Sequence, residues 1–324
     1  MKVALNLTRA QVAEYYRQML LIRRFEEACG RLYMQGKIRG FLHLYIGQEA
    51  IAVGAISNLV PEDYIITHYR DHGHALARGM DPKIAMAELC AKATGSSGGK
   101  GGSMHLFDAA LHFMGGHAIV AGQMPIAVGI GLGLKYKKSS GLVMCFFGDG
   151  AVNEGAYHES LNLASVWKLP VLFFLENNLY GMGSHIDRVH AGGRDIYISA
   201  ENYNIPAVQV DGMDIVAVRE ATAEAVKRVR SGSGPVMIEA KTYRFRGHSM
   251  ADPTLYRESE EVDEWRLKDP IERFKQLAAE ENLVTEDELS AVDKQVEAAI
   301  AEAVKFAEES PDPDFDSIFT NIYA

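Results

Sequence analysis

Residues 141–178 read GLVMCFFGDGAVNEGAYHESLNLASVWKLPVLFFLENN. The runs at 141–147 and 170–176 are short and almost continuously apolar. Runs apolar on both faces suit strands buried in a parallel sheet. The stretch 153–168 between them carries apolar residues at helical spacing, so the segment predicts one strand–helix–strand unit. Further along come an expected strand at 206–210 (PAVQV), a helix at 214–230 and a strand at 235–242 (PVMIEAKT). This alternation predicts an α/β fold, a mostly parallel sheet with helices on both faces.

Both of the first two runs end on polar residues, GDG and NN. In an open parallel sheet, ligands bind outside the carboxyl ends of the strands. Asp149 and Asn178 are therefore expected on the same edge. One charged and one neutral oxygen suit a hard cation such as magnesium, which takes octahedral oxygens at about 2.0–2.1 Å and usually keeps phosphate and water ligands. Gly148 and Gly150 permit a sharp turn and expose the N–H groups of Gly150 and Ala151 at an expected helix start, a place for phosphate. GDG alone would be read as an ordinary turn. Paired with NN after a second apolar strand, it points to magnesium diphosphate at the sheet edge.

Toward the N-terminus, residues 8–35 read as a helix capped by Thr8. Residues 46–60 and 82–92 read as two more helices. The stretch TGSSGGKGGSMH (94–105) is a glycine-rich loop in which backbone must approach something closely. It is not a nucleotide-binding P-loop, because that motif would need Gly at 94 and Ser or Thr at 101, where Thr94 and Gly101 stand. Residues 119–138 read as a small-residue helix packed inside the protein. Beyond the last strand, 243–270 reads as a long polar loop and 271–309 as two amphipathic helices. With no repeat and no linker, residues 1–324 read as a single α/β domain with N- and C-terminal helical extensions.

The composition excludes several classes. The 324 residues are 48% hydrophobic, ample for a large core. A formal charge of −10 argues against general binding to nucleic acid or an anionic membrane. Cys29, Cys90 and Cys145 form no CxxC pair and no zinc spacing, and read as buried reduced thiols. The opening residues have no signal-peptide pattern, and no run of 18 residues is apolar and uncharged. The expectation is a cytoplasmic protein.

The blocks GFLHLYIGQEA (40–50), THYRDHG (67–73), GGKGGSMHLFD (98–108), GGHAIVAGQMP (115–125), FFGDGAVNEGAYHESLNLASVWKLPVLFFLENNLYGMGS (146–184) and YRFRGHSMADP (243–253) carry a resemblance. Over nearly the whole chain they resemble the alpha subunits of the decarboxylating component of pyruvate dehydrogenase complexes. The resemblance implies a thiamine diphosphate-binding fold, with magnesium held by Asp149, Asn178 and the carbonyl of Tyr180. It implies that the diphosphate meets the N–H groups of Gly150 and Ala151 and the side chains of Tyr69, Arg70 and Arg244. Ala118 and Val120 would offer backbone groups to the aminopyrimidine, although the family commonly has glycine where Ala118 stands. Met182 would lie beneath the cofactor. His248, on a loop that orders around the cofactor, and His43 would handle protons, His248 ahead of His43. The other histidines read as structural.

By the same resemblance the activity is oxidative decarboxylation of pyruvate, with transfer of the acetyl group to a lipoyl-bearing dihydrolipoyl acyltransferase. The glutamate that activates the cofactor would sit on a separate beta subunit, in a two-alpha, two-beta assembly. The alternatives are an acetoin dehydrogenase alpha subunit or that of another 2-oxo acid dehydrogenase.

Overall fold

The computed structural model describes residues 7–320 and 322. Its strands are β1 (Tyr64–His68), β2 (Phe113–His117), β3 (Val143–Gly148), β4 (Val171–Asn177), the short β5 (Tyr180–Gly181) and β6 (Ser184–His185), β7 (Ala207–Asp211) and β8 (Val236–Lys241). Six of them form one sheet in the order β2-β1-β3-β4-β8-β7, with every pair parallel. β5 and β6 make a separate antiparallel hairpin. Strands β3 and β4 are buried almost throughout, and Phe146 and Phe174 pack ring against ring at 5.1 Å. Burial on both faces is why these strands read as continuous apolar runs.

The helices are α1 (Arg9–Met34), α2 (Glu49–Ile56), α3 (His72–Arg78), α4 (Pro82–Leu89), α5 (Gln123–Tyr136), α6 (Gly155–Val166), α7 (Ile186–Val189), α8 (Ile215–Arg230), α9 (Ser259–Arg266), α10 (Pro270–Glu280) and α11 (Glu286–Glu309). Thr8 caps α1 in a reciprocal capping box with Gln11. The chain passes from β3 through α6 to β4 in one direction across the sheet, and from β7 through α8 to β8 in the other. Right-handed crossovers then put α6 and α8 on opposite faces. α5 packs beside α6, and α2 beside α8. The long C-terminal α11 docks on α1 and α4 through Leu289, Val296, Ile300, Ala303 and Ala307. It is thus part of the chain's own packing.

Three expectations are corrected. The helix expected inside the protein, α5, buries one face only. Ile126, Leu132 and Tyr136 stand exposed on the other, since glycine-rich apolar composition does not say which side is covered. The expected polar loop 243–270 opens with the buried Tyr243, Arg244 and Phe245 and contains α9, a helix with no buried residue and so no apolar stripe to reveal it. The N–H groups of Gly150 and Ala151 lie on a 3-10 turn (Asp149–Asn153), and α6 begins only at Gly155.

Strand order reverses between β1 and β3. From β1 the chain moves outward to β2, then returns across β1 to β3. At such a switch point the loops diverge and leave a crevice at the carboxyl ends. Among the described residues, no helix is long and apolar enough to cross a membrane.

Candidate functional site

The residues singled out above follow the carboxyl ends of five strands. Tyr69 and Arg70 follow β1, Ala118 and Val120 follow β2, and Asp149, Gly150 and Ala151 follow β3. Asn178, Tyr180 and Met182 follow β4, and Arg244 and His248 follow β8. His43 alone comes from elsewhere, the segment between α1 and α2. Its ring lies 4.6 Å from that of Tyr69 and 5.0 Å from that of His248.

The β3–β4 register pairs Gly148 with Glu176, so the chain turns at Asp149 and at Asn178 on adjoining strand ends. Asp149 is buried, and its Oδ2 has no hydrogen-bond partner. Burial pushes its carboxyl up to about 6, against the pull of Arg244 and of the backbone N–H groups of Asp149 and Asn178. Asn178 donates from Nδ2 to Gln48 Oε1 at 3.0 Å, which turns its carbonyl oxygen toward the Tyr180 N–H at 3.3 Å. Gly150 and Gly181 face each other so closely that a Cβ on Gly181 would sit 3.2 Å from the Gly150 Cα, which seats the β5–β6 hairpin on the Asp149 turn.

Two arginines are buried nearby. Arg70 donates to the carbonyls of Leu44 at 2.7 Å and His248 at 2.8 Å. Arg244 donates to the carbonyls of Tyr180 at 2.9 Å and Met182 at 2.6 Å, and to the Tyr256 hydroxyl at 2.8 Å. Every one of these acceptors is neutral, so neither charge is offset by a carboxylate it bonds. Burial, with the Arg244 charge beside it, brings Arg70 down to about 10. The Tyr180 carbonyl, implied as a metal ligand, already accepts from Arg244 and keeps one lone pair free.

The two histidines sit in the same positive field. Burial, then Arg70 and Arg244, pull His248 down to about 3. Burial, then Arg70, lower His43 further still. Both rings are therefore neutral near pH 7, and the Nδ1 of each is buried without a partner. The loop bearing His248 is held by Asp252, which accepts from the His248 N–H at 2.6 Å, the Thr254 N–H at 2.9 Å and the Tyr256 hydroxyl at 2.5 Å. Met182 is largely exposed in a left-handed conformation (φ 54°), and Val120 is partly exposed beside Ala118.

Other buried groups were invisible in the sequence. Glu176 accepts from His68 Nε2 at 2.6 Å, from His74 Nε2 at 3.1 Å and from the Tyr45 hydroxyl. Glu26 lies 2.9 Å from His72 Nδ1. The glycine-rich loop wraps a carboxylate of its own chain. Glu88, fully buried, accepts from the N–H groups of Ser97 (2.8 Å), Gly99 (2.9 Å), Gly101 (2.7 Å) and Gly102 (3.2 Å). What that loop approaches is therefore Glu88. Partners this far apart in the chain leave no local pattern.

An open carboxylate oxygen beside two guanidinium groups without bonded counter-ions is costly unless a ligand completes it. The donor set fits a cation bridged to a doubly charged phosphate group. Among the described residues no cluster of three His, Cys, Asp or Glu could hold a metal by itself. A cation here would need ligand oxygens from its partner anion.

The sequence pattern of the family described as "Dehydrogenase E1 component" matches residues 17–316. The chain is 48% identical over 308 residues to the pyruvate dehydrogenase E1 component subunit alpha of Rhizobium meliloti (strain 1021), covering 95% of this chain and 88% of that one. It is 48% identical over 318 residues to the protein of that name from Zymomonas mobilis, covering 97% and 89%. It is 42% identical over 327 residues to the protein of that name from Porphyra purpurea, covering 99% and 95%.

Proposed function

The chain belongs to the dehydrogenase E1 component family, and on that premise we propose how it works as the alpha subunit of a pyruvate dehydrogenase E1 component. It is a 2-oxo acid dehydrogenase subunit that uses thiamine diphosphate and works with a beta subunit. Magnesium, the two-alpha, two-beta stoichiometry, the lipoyl-bearing dihydrolipoyl acyltransferase as acetyl acceptor and a cytoplasmic setting complete the reading. The observation that carries it is the open Asp149 Oδ2 beside two buried arginines whose bonded partners are all neutral.

Asp149, the Asn178 side chain and the Tyr180 carbonyl would hold magnesium. Arg70, Arg244, Tyr69 and the N–H groups of Gly150 and Ala151 would receive the diphosphate, Arg being the residue suited to planar recognition of phosphate. Ala118 and Val120 would present backbone to the aminopyrimidine, with Met182 beneath the ring. Thiamine diphosphate would supply a nucleophilic carbon for the 2-oxo group and a cationic ring that takes up the electron pair left when CO₂ departs. His248 and His43 do the proton work. Both are held neutral near pH 7, and each presents an unpartnered, buried Nδ1 to the site. Arg70 grips the carbonyl of Leu44, next to His43, and that of His248 itself, which keeps the two segments together. The exposed apolar face of α5, with Ile119 and Val120 just before it, suits coverage by the beta subunit.

Calorimetric titration of the chain, with and without a co-expressed beta partner, tests the reading. Thiamine diphosphate with magnesium should bind to the complex, and the complex should turn over pyruvate in preference to acetoin and branched 2-oxo acids. Absence of binding to the complex, or full turnover by this chain alone, would refute it.

A further inference from the structure

His68 ties two parts of the site together. Its Nδ1 lies 3.1 Å from the backbone N of Arg70, which can only donate. Nδ1 must therefore carry the lone pair. Its Nε2 lies 2.6 Å from Glu176 Oε2, which as a carboxylate can only accept, so Nε2 must carry the proton. Glu176 is itself fixed by two further donors, His74 and Tyr45. Tyr45 is locked in turn by Gly73, where a Cβ would come 2.3 Å from the tyrosine ring. One tautomer of His68 thus satisfies both neighbours, and the other satisfies neither.

Arg70 is what the arrangement serves. Its backbone is held by His68, and its guanidinium spans the Leu44 and His248 carbonyls, drawing the His43 and His248 segments together. Glu176 also lies on β4, the strand that Asn178 follows.

We propose that His68, fixed as its Nε2–H tautomer by Glu176, is a positioning residue whose Nδ1 sets the Arg70 backbone and so the guanidinium that meets the diphosphate. The proposal rests on the functional reading above. Two substitutions separate the bonds. In His68→Asn the side-chain oxygen stands where Nδ1 stood and still accepts from Arg70, but the bond to Glu176 is lost. In His68→Gln the amide reaches Glu176, but Arg70 loses its acceptor. One lost hydrogen bond is worth roughly a tenfold change in affinity.

In the complex with the beta subunit, titrated with thiamine diphosphate and magnesium, His68→Gln should bind about tenfold more weakly and His68→Asn within about threefold of wild type. A residue that only fills space or only pairs with Glu176 predicts equal losses or the reverse order, and either result overturns the proposal. A second measurement needs no variant binding. In ¹⁵N-histidine spectra of the wild-type chain, the signal missing from His68→Asn should show a lone-pair Nδ1 and a protonated Nε2. A protonated Nδ1 refutes the inference. Wild type that binds no thiamine diphosphate would sink the functional reading and this inference with it. Wild type that binds, with the two variants equal, would sink this inference alone.

Discussion

Two buried carboxylates in this molecule meet glycine-rich backbone, and they are opposites. Around Glu88, the loop 94–105 folds four backbone N–H groups onto one side chain, and the anion is complete. At the GDG turn, Asp149 is buried as deeply but leaves Oδ2 open, with two arginines close by that bond only neutral acceptors. The loop richer in glycine is the closed one. Glycine density reports that backbone comes close to something, and a protein's own carboxylate serves as well as a ligand's phosphate. Unsatisfied charge, rather than backbone shape, separates a site from a scaffold.

Asp149→Asn should break the contrast most sharply. Removing the charge a cation needs should weaken magnesium-dependent binding of thiamine diphosphate on the order of a thousandfold, about 4 kcal/mol. The Tm of the ligand-free chain should stay the same or rise, because an uncompensated buried charge disappears. Calorimetry and a thermal melt on one sample read both. A large drop in Tm would mean Asp149 is a scaffold group like Glu88. The reverse pattern is expected at the closed nest. Glu88→Gln would turn an amide NH₂ toward backbone donors and lose charged hydrogen bonds, costing about 3 kcal/mol in urea unfolding. Binding by the folded fraction should change little.

Arg244→Lys sharpens the open side. A lysine cannot bond Tyr180, Met182 and Tyr256 with one planar group, so cofactor affinity should fall about tenfold in the same titration. An unchanged affinity would show that only the charge matters there.

The positions of the open site were legible because the features that place it are local. An apolar run buried on both faces marks a central strand, and the residue after it must lie at the carboxyl edge. That is how Asp149 and Asn178 came to adjoining ends. The edge of the sheet was harder. β2, FMGGH, carries two glycines and little strand character, and β1, YIITH, is only five residues long. Without them the switch point between β1 and β3 had no sequence signal. The carboxylate networks were harder again. Glu176 meets His68 and His74 across 108 and 102 residues of chain, and only the fold brings them together. The exposed face of α5 illustrates a different limit, since glycine-rich apolar composition does not say which side of a helix is covered.

A third buried carboxylate refines the comparison through pH. Glu26 is met by the His72 side chain and one backbone N–H, whereas Glu88 is met by backbone amides alone. His72 places Nδ1 2.9 Å from Glu26 Oε2 and Nε2 3.0 Å from the Ser103 carbonyl. Nε2 also lies 3.0 Å from the Ser103 hydroxyl, and an imidazolium donates to Glu26 from one nitrogen and to the Ser103 carbonyl from the other. Burial opposes that charge, but Glu26, with Asp71 and the Ser103 carbonyl, outweighs it and raises the His72 pKa above 6.5. A histidine whose folded pKa exceeds its unfolded one contributes stability that is complete below about pH 6.5 and fades as pH rises through the folded value. The stability difference between wild type and His72→Gln should therefore be constant in mildly acid solution and shrink as pH rises toward the alkaline range. The corresponding difference for Glu88→Gln should stay level over the same range, because amide donors do not titrate. Parallel urea titrations at several pH values read both. Two level differences would mean that His72 is neutral and that Glu26 is held by the Tyr45 N–H.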